Sequence, residues 1–233
     1  MGRLTTIGFD ADDTLWENEQ FFRMTEARFV ELLAGHADPD HLSERLLEAE
    51  RRNLRIYGFG IKGFTLSMIE TALEITDGDL PASAVRRIVE FGKEMLAHPI
   101  EPLPHAHETL EELAGNFRLV LITKGDLFDQ ERKLAQSGLG EMFDAVEIVS
   151  EKVETTYETL FRRHGDGPDR ALMVGNSMKS DVLPAIGAGA WGVHVPHRLT
   201  WVLEHAEAPV DHEKFRCIED LSGLKGVVDG ILS

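Results

Sequence analysis

The chain opens with a short apolar segment that ends in a cluster of acidic residues. Residues 4–9 read LTTIGF, and residues 10–14 read DADDT. An apolar, β-branched run of this length that ends at a polar turn is typical of a buried strand. We therefore predict a first strand over residues 4–9, with the acidic cluster at its carboxyl end.

A long segment with helical periodicity follows this strand. Residues 17–97 are rich in Leu, Glu, Arg and Ala, and breaks that contain glycine or proline lie at residues 35–39, 58–63 and 76–81. This pattern predicts about four helices and no strand. Prolines then recur in residues 98–104, which indicates a linker.

Strand-like and helix-like segments alternate in the rest of the chain. Such alternation is typical of an α/β fold, in which a parallel sheet carries helices on both faces. We assign residues 1–15 and 98–233 to this core domain and residues 16–97 to an inserted helical domain. Further strands are predicted at 118–123, 145–149, 171–174 and 192–195, and helices at 108–114, 127–137, 155–163, 181–190 and 221–232.

Size and charge limit the possible functions. The chain has 233 residues, 42% of them hydrophobic, which is enough for a core domain with a smaller insert. Its net charge is 24 − 41 = −17 with histidine neutral. A surface this acidic repels nucleic acids and anionic membranes, so we expect neither as a partner. It also repels phosphorylated ligands, and a phosphate site here needs a cation of its own.

Cysteine content and hydropathy bear on localisation. Cys217 is the one cysteine of the sequence, and we expect it in a strand near the C-terminus. A single cysteine excludes an intramolecular disulfide and fits a reducing compartment. The sequence contains no apolar run long enough to span a membrane. These features favour a cytoplasmic protein.

Residues suited to chemistry follow four of the predicted strands. In an open parallel sheet, ligands bind beyond the carboxyl ends of the strands, near the point where the strand order reverses. A doubly wound sheet therefore brings these side chains to one edge. They are Asp10, Asp12, Asp13 and Thr14 after the first strand, Thr123 and Lys124 after the second, Glu151 and Lys152 after the third, and Gly175, Asn176 and Asp181 after the fourth.

This set of side chains suits phosphoryl transfer. A carboxylate can attack phosphorus and form an acyl phosphate, and a second carboxyl two residues on can protonate the leaving oxygen and then activate water. A hard cation bound by oxygen ligands offsets the repulsion between the carboxylate and the phosphate. A lysine and a hydroxyl can bind the phosphoryl oxygens. Because the set contains no His or Cys cluster, zinc is disfavoured.

Four segments resemble, in order, the four motifs of the haloacid-dehalogenase-like (HAD) hydrolases. They are residues 10–14 (DADDT), Thr123 after RLVLI, Lys152, and residues 175–177 (GNS) together with Asp181. The second and third motifs are weak alone, but the ordered set is specific and covers nearly the whole chain. The resemblance implies a doubly wound, Rossmann-like core. It also implies that the helical insert is a small α-helical cap of the type that follows the first strand.

The same resemblance implies a magnesium-dependent phosphatase that acts on a small phosphorylated metabolite. Asp10 would be the nucleophile that forms an aspartyl-phosphate, and Asp12 the general acid and base. Thr123 and Lys152 would bind the transferring phosphoryl group, with Lys124 as a rival to Lys152. Mg²⁺ would be bound by Asp10, by the backbone carbonyl of Asp12, and by Asn176 and Asp181 of the fourth motif.

Asn176 departs from the family pattern, which usually has an acidic residue at this position. An amide oxygen can bind Mg²⁺ but brings no negative charge, so the metal is held more weakly or Asp181 takes a larger share. Asp12 argues against the dehalogenases that name the family, because they need no general acid there. A sugar-phosphate mutase and a non-catalytic binding module remain alternatives. The sequence indicates neither the substrate ester nor the oligomeric state.

Two other features lie outside the four motifs. Lys62 lies in a glycine-rich break, residues 57–63, which either faces the substrate or is an ordinary turn between helices. His105, His107, His194 and His197 show no metal-binding spacing, and we expect them at the surface or in loops.

Overall fold

A parallel sheet of six strands forms within residues 3–233, the part of the chain that this computed structural model describes. The strand order is β3-β2-β1-β4-β5-β6, and every neighbouring pair is parallel. This confirms the predicted α/β fold with a doubly wound sheet. The strands are β1 (Thr6–Phe9), β2 (Arg118–Lys124), β3 (Ala145–Val149), β4 (Ala171–Gly175), β5 (Trp191–His194) and β6 (Phe215–Cys217).

The helices also follow the predicted alternation. None of those in residues 3–233 has the length and apolar character needed to cross a bilayer. In chain order they are α1 (Glu19–Leu33), α2 (Pro39–Tyr57), α3 (Ile61–Ile75), α4 (Ala82–Ala97), α5 (Ala106–Leu113), α6 (Leu127–Ser137), α7 (Glu154–His164), α8 (Leu183–Gly187) and α9 (Leu224–Leu232).

β1 lies in the middle of the sheet, between β2 and β4. Its last residue, Phe9, is level with Leu121 of β2 and with Val174 of β4. The strand order reverses at β1, because the chain extends the sheet first on the β2 side and later on the β4 side. The residues that follow β1 and β4 therefore lie at the switch point where sheets of this kind bind ligands.

Apolar side chains alternate between the two faces of the sheet. Leu119 and Leu121 of β2 belong to one buried cluster, together with residues of α5 and α9. Val120 and Ile122 belong to a second cluster, which contains Phe161 of α7. Because successive strand residues point to opposite faces, both faces are covered. This explains why the strands appear in the sequence as nearly continuous apolar runs.

The chain divides into two compact units. The first comprises the described residues up to Glu19, Ile100–Lys124 and Gln130–Ser233, and it contains the sheet. The second comprises Gln20–Pro99 and Gly125–Asp129. The inclusion of Gly125–Asp129 in the second unit has no signal in the sequence. The assignment of the helical unit as a cap domain stays a prediction.

The second unit has its own core and well-defined helix ends. Phe29, Leu42 and Met68 are buried in this core. At the start of α2 the carboxylate of Asp38 accepts a hydrogen bond from the backbone N–H of His41 (3.1 Å), and α2 ends at Gly58, whose φ is 72°. Both features are common at helix ends, and they account for two of the predicted breaks.

One local prediction in this unit is wrong. The break at residues 58–63 is shorter than expected, because α3 already begins at Ile61. Lys62 therefore lies in the first turn of a helix, and its ammonium donates to both carboxylate oxygens of Asp126 (2.9 Å each).

Candidate active site

Asp10 follows β1 directly and lies at the switch point of the sheet. Its backbone N–H donates to the carbonyl of Val174 (2.9 Å), so the residue continues the pairing of β1 with β4. The side chain is almost completely buried. Its Oδ2 accepts a hydrogen bond from the Thr14 hydroxyl (3.1 Å), and its Oδ1 accepts one from the Lys152 ammonium. Asp10 is thus fixed at both carboxylate oxygens.

Lys152 connects Asp10 to Asp181. It precedes α7, and its side chain is only 1% exposed. The ammonium donates to Asp10 Oδ1 and to Asp181 Oδ1, the latter at 2.7 Å. Burial lowers the pKa of Lys152, but the two carboxylates outweigh this effect and hold the pKa above its ordinary value. Lys152 therefore stays charged between two buried carboxylates.

The loop after β4 holds Asp181 in place. Asp181 lies in a single π-helical turn, Met178–Val182, and its Oδ2 accepts from the backbone N–H of Ser177 (3.0 Å). A Cβ atom on Gly175 would lie 2.3 Å from Asp181 Oδ2, so only glycine leaves room for this carboxylate. The helix predicted over residues 181–190 thus begins earlier, with this π-helical turn, and its α-helical part, α8, ends earlier, at Gly187. Turns of this kind are often found at functional sites.

Burial and charge act together on the Asp10 carboxyl. Burial raises its pKa, Asp181 raises it further, and Lys152 opposes both, so that the pKa is about 7. This value applies to the protein without a bound cation. A cation at the carboxylate would favour the ionised, nucleophilic form.

The oxygen atoms near Asp10 fit a hard divalent cation. The Thr14 hydroxyl lies 3.1 Å from Asp10 Oδ2 and 3.5 Å from Asn176 Oδ1, so two of the predicted ligands meet at one side chain. The backbone N–H of Asn176 also donates to this hydroxyl (3.0 Å). Carboxylate, amide and carbonyl oxygens are the ligands that Mg²⁺ prefers. The donor set therefore fits the predicted metal, although Asp181 already binds Lys152 and Ser177.

Thr123 and Lys124 lie at the end of β2 in different surroundings. Thr123 is buried, and its hydroxyl donates to the Lys124 carbonyl (3.4 Å). The Lys124 ammonium donates to the hydroxyl of Ser180 (2.8 Å) and to the carboxylate of Glu204 (2.6 Å). Of the two candidate lysines, Lys152 is the one that contacts Asp10. The phosphate-binding roles of Thr123, Lys124 and Lys152 stay predictions.

Asp12 has partners that the sequence reasoning missed. Its carboxylate accepts hydrogen bonds from Trp16 Nε1 (2.7 Å), Gln130 Nε2 (2.8 Å) and the Lys133 ammonium (2.9 and 3.1 Å). Gln130 and Lys133 lie one turn apart on α6 and are both buried. That spacing of polar residues was visible in the sequence, but it is common on the exposed faces of helices.

A second group of titratable side chains lies beside the first motif. One oxygen each from Asp13 and Glu17 and one ring nitrogen of His197 lie within 4.8 Å of one another. The Asp13 carboxylate accepts from the backbone N–H groups of Asn18 (2.8 Å) and Glu19 (3.0 Å), and so holds the start of α1. His197 lies in a loop after β5, as expected, but its side chain is only 9% exposed and contacts Asp13 and Glu17.

A family model described as haloacid dehalogenase-like hydrolase matches residues 4–189 of the chain. This span contains every residue from Asp10 to Asp181 that the four motifs predict. It also contains the three residues, Trp16, Gln130 and Lys133, that surround the Asp12 carboxylate.

Two curated proteins and one solved structure give more specific similarities. The chain is 28% identical to the glyceraldehyde 3-phosphate phosphatase of Methanothermobacter thermautotrophicus, over 97% of this chain and all of that protein. It is 32% identical to the pyrimidine 5'-nucleotidase YjjG of Escherichia coli, over 51% of this chain and 58% of the relative. The crystal structure of a haloacid dehalogenase-like hydrolase from Xanthomonas campestris superimposes with a TM-score of 0.88 at 41% identity, covering 98% of this chain and 91% of that one.

Proposed function

The chain belongs to the haloacid dehalogenase-like hydrolase family and is a phosphoric monoester hydrolase, and we propose that it cleaves small phosphate monoesters through an aspartyl-phosphate on Asp10. One observation carries this proposal. A buried carboxylate at the switch point of the sheet is fixed by a buried lysine and a hydroxyl, with further oxygen ligands beside it.

Asp10 is the nucleophile in this proposal. Its oxygen attacks phosphorus, and the bond between phosphorus and the ester oxygen breaks. The contacts with Lys152 and Thr14 hold the carboxylate in one orientation before attack, which lowers the entropic cost of the step. The ammonium of Lys152 also stabilises the negative charge that develops on the phosphoryl oxygens.

The site needs more positive charge than its lysines supply. Once Asp12 has given up its proton and all five side chains are ionised, Asp10, Asp12 and Asp181 carry three negative charges and Lys152 and Lys133 two positive ones, so the balance is 2 − 3 = −1. A phosphate ester dianion adds to this deficit. Mg²⁺ bound to Asp10, the Asp12 carbonyl and Asn176, with Asp181 beside them, would neutralise this charge.

Asp12 transfers the protons in both halves of the reaction. As a carboxylic acid it gives its proton to the oxygen of the departing alcohol. The resulting carboxylate then takes a proton from the water that attacks the aspartyl-phosphate, which releases inorganic phosphate and restores Asp10. These steps return every proton and the Asp10 carboxylate to their starting states.

The substrate is a small phosphorylated metabolite, in this proposal a sugar phosphate or a nucleoside monophosphate. The two curated relatives support this, since one is a phosphatase of a three-carbon sugar phosphate and the other a nucleotidase. The helical second unit, with its own core, acts as the cap that excludes water and selects the leaving group.

Release of inorganic phosphate from a panel of small phosphate esters tests the proposal. The panel contains triose and hexose phosphates, nucleoside monophosphates and p-nitrophenyl phosphate, with Mg²⁺ or with EDTA. We expect release that requires Mg²⁺ and that falls at least about 10³-fold in Asp10→Asn. Conversion of a sugar phosphate to an isomer that keeps its phosphate would identify a mutase instead. Full activity of Asp10→Asn would contradict the proposal.

A further inference from the structure

Three side chains, Trp16, Gln130 and Lys133, form a ring of N–H donors around the carboxylate of Asp12. Oδ1 accepts from Trp16 Nε1 (2.7 Å) and from the Lys133 ammonium (2.9 Å), and Oδ2 accepts from Gln130 Nε2 (2.8 Å) and from the same ammonium (3.1 Å). Both oxygens are therefore held, and the plane of the carboxylate is fixed.

The ammonium of Lys133 is buried and binds Asp12 instead of facing solvent. Its side chain is 5% exposed, and besides Asp12 the ammonium donates to the side-chain oxygen of Asn18 (2.7 Å). A buried ammonium is costly unless it is paired, so this contact with Asp12 is a requirement of the fold as well as a constraint on Asp12. The pairing links α6 to the first motif across more than one hundred positions of sequence.

Gln130 supplies an independent sign that this ring is built around Asp12. The residue is 4% exposed, and its Nε2 donates to Asp12 and to the Lys124 carbonyl (3.2 Å), while its Oε1 is buried without a hydrogen-bond partner. A buried acceptor without a partner destabilises the folded state. If the amide were reversed, Oε1 would face the Asp12 carboxylate and the two acceptors would repel each other. The orientation in the structure gives Asp12 a hydrogen-bond donor and leaves Oε1 without one.

We propose that Lys133, assisted by Gln130 and Trp16, is a positioning residue that fixes the Asp12 carboxyl group for proton transfer. The inference rests on the proposed function, because it gives the ring a role in a reaction that Asp12 performs. The Lys133 ammonium contacts Asp12 and Asn18, and we assign it no direct contact with the phosphoryl group or the leaving oxygen. Its effect on the reaction passes through the orientation of Asp12.

The test compares Lys133→Met, Asp12→Asn and the double variant with the wild type. An alkyl phosphate and p-nitrophenyl phosphate serve as substrates, because the alkoxide needs a proton to leave and p-nitrophenolate does not. We expect Lys133→Met to lower kcat/KM for the alkyl ester by about 10²-fold and that for the aryl ester much less. In the Asp12→Asn background the same substitution is expected to have almost no further effect, since the acid that it positions is already absent.

Two controls separate positioning from folding. Arg132→Met removes a cation from α6 at the position next to Lys133, where the guanidinium donates to Gln136 (2.8 Å). This variant is expected to have the kcat/KM of the wild type for both esters. Gln130→Met removes a donor to Asp12 together with the unpartnered oxygen. It should keep the thermal stability of the wild type and still lower kcat/KM for the alkyl ester, which a purely structural role does not predict. This second variant decides the matter if Lys133→Met does not fold.

The outcomes distinguish this inference from the phosphatase proposal. Asp10→Asn is assayed in parallel, so an inactive wild type overturns both ideas. An active wild type with an inactive Asp10→Asn leaves the phosphatase proposal standing. In that case three results would overturn the positioning role. They are an equal loss of kcat/KM on both esters, an additive loss in the double variant, and unchanged kinetics of Lys133→Met and Gln130→Met.

Discussion

Lys152 is the residue on which the two buried carboxylates of the site depend. We expect Lys152→Met to lower phosphatase activity at least about 10²-fold, because in the proposed mechanism the phosphoryl group then loses a cation that binds it. The free energy of unfolding should fall by about 3–5 kcal/mol, the usual effect of leaving buried charge without its partner. Steady-state kinetics and urea unfolding measure the two effects in EDTA and in Mg²⁺.

The matched control for this substitution is Lys225→Met. Lys225 forms a surface ion pair with Glu112, in which both side chains are about half exposed. Pairs of this kind contribute at most about 1 kcal/mol, so neither activity nor stability should change noticeably. Equal behaviour of the two lysine variants would show that the contacts of Lys152 with Asp10 and Asp181 have no functional importance.

Asn176 gives a second test at the scale of single residues. Asn176→Asp places a carboxylate where the family usually has one, and its negative charge should bind Mg²⁺ more tightly. We expect an active enzyme that reaches half-maximal activity at a lower Mg²⁺ concentration. Without metal the added charge repels Asp10, so EDTA should lower the melting temperature of this variant more than that of the wild type. A higher Mg²⁺ requirement would count against Asn176 as a ligand.

At the scale of elements, the side chain of Glu204 forms contacts with residues at the ends of β2 and β4. The Glu204 carboxylate pairs with Lys124 (2.6 Å) and accepts from the hydroxyls of Ser177 and Ser180. Ser177 caps the turn that carries Asp181, and Ser180 lies within it. Burial raises the pKa of Glu204, but Lys124 and the two hydroxyls outweigh it, so the pKa lies below the ordinary value of 4.5.

The lowered pKa of Glu204 predicts a pH-dependent contribution to stability. A carboxyl whose pKa is lower in the folded state stabilises the fold above its unfolded pKa, and this contribution is lost as the pH falls through the folded value. We expect Glu204→Gln to lower the melting temperature at pH 7, and we expect the difference from the wild type to shrink below pH 4.5. A difference that stays constant from pH 7 to pH 3 would contradict this account.

The elements that were predictable from the sequence are those with strong periodicity. β3 and α6 have the bounds that the sequence predicts, because each has clear breaks on both sides. β6 was indicated only through Cys217, since three residues are too few to show alternation. The helix predicted over residues 181–190 starts earlier, with the π-helical turn Met178–Val182, and ends earlier, at Gly187, shortly before Gly189, whose φ is 95°.

The candidate site was predictable only where strand ends carry its residues. Asp10 follows β1 directly, Lys152 comes three residues after the end of β3, and the fold brings the two side chains into contact. The partners of Asp12 on α6 could not be found in this way, because the spacing of Gln130 and Lys133 also suits an exposed helix face. Their burial depends on how α6 packs beside the first motif, which a single sequence does not encode in any local pattern.

At the scale of the whole molecule, the distribution of charge matters more than its sum. The chain carries a net charge of −17, yet Lys124, Lys133 and Lys152 are all largely buried and bound to carboxylates near the carboxyl ends of the strands. In a buried site these cations are screened much less than charges on the surface. Because each of these cations is already paired with a carboxylate, the fold places cations at the strand ends without making the site positive, and the protein as a whole repels anions at long range. In the proposed mechanism an anionic substrate therefore still requires the metal cation.

The central claim, that a phosphoryl group passes through Asp10, is tested most directly by trapping the intermediate. The enzyme is mixed with a substrate ester and Mg²⁺, quenched in acid during turnover, and digested for mass spectrometry. We predict a phosphoryl group on Asp10 of the peptide that contains residues 10–14, and none in Asp10→Asn. Turnover that releases phosphate while the peptide stays unmodified, or a phosphoryl group on another residue, would contradict the account.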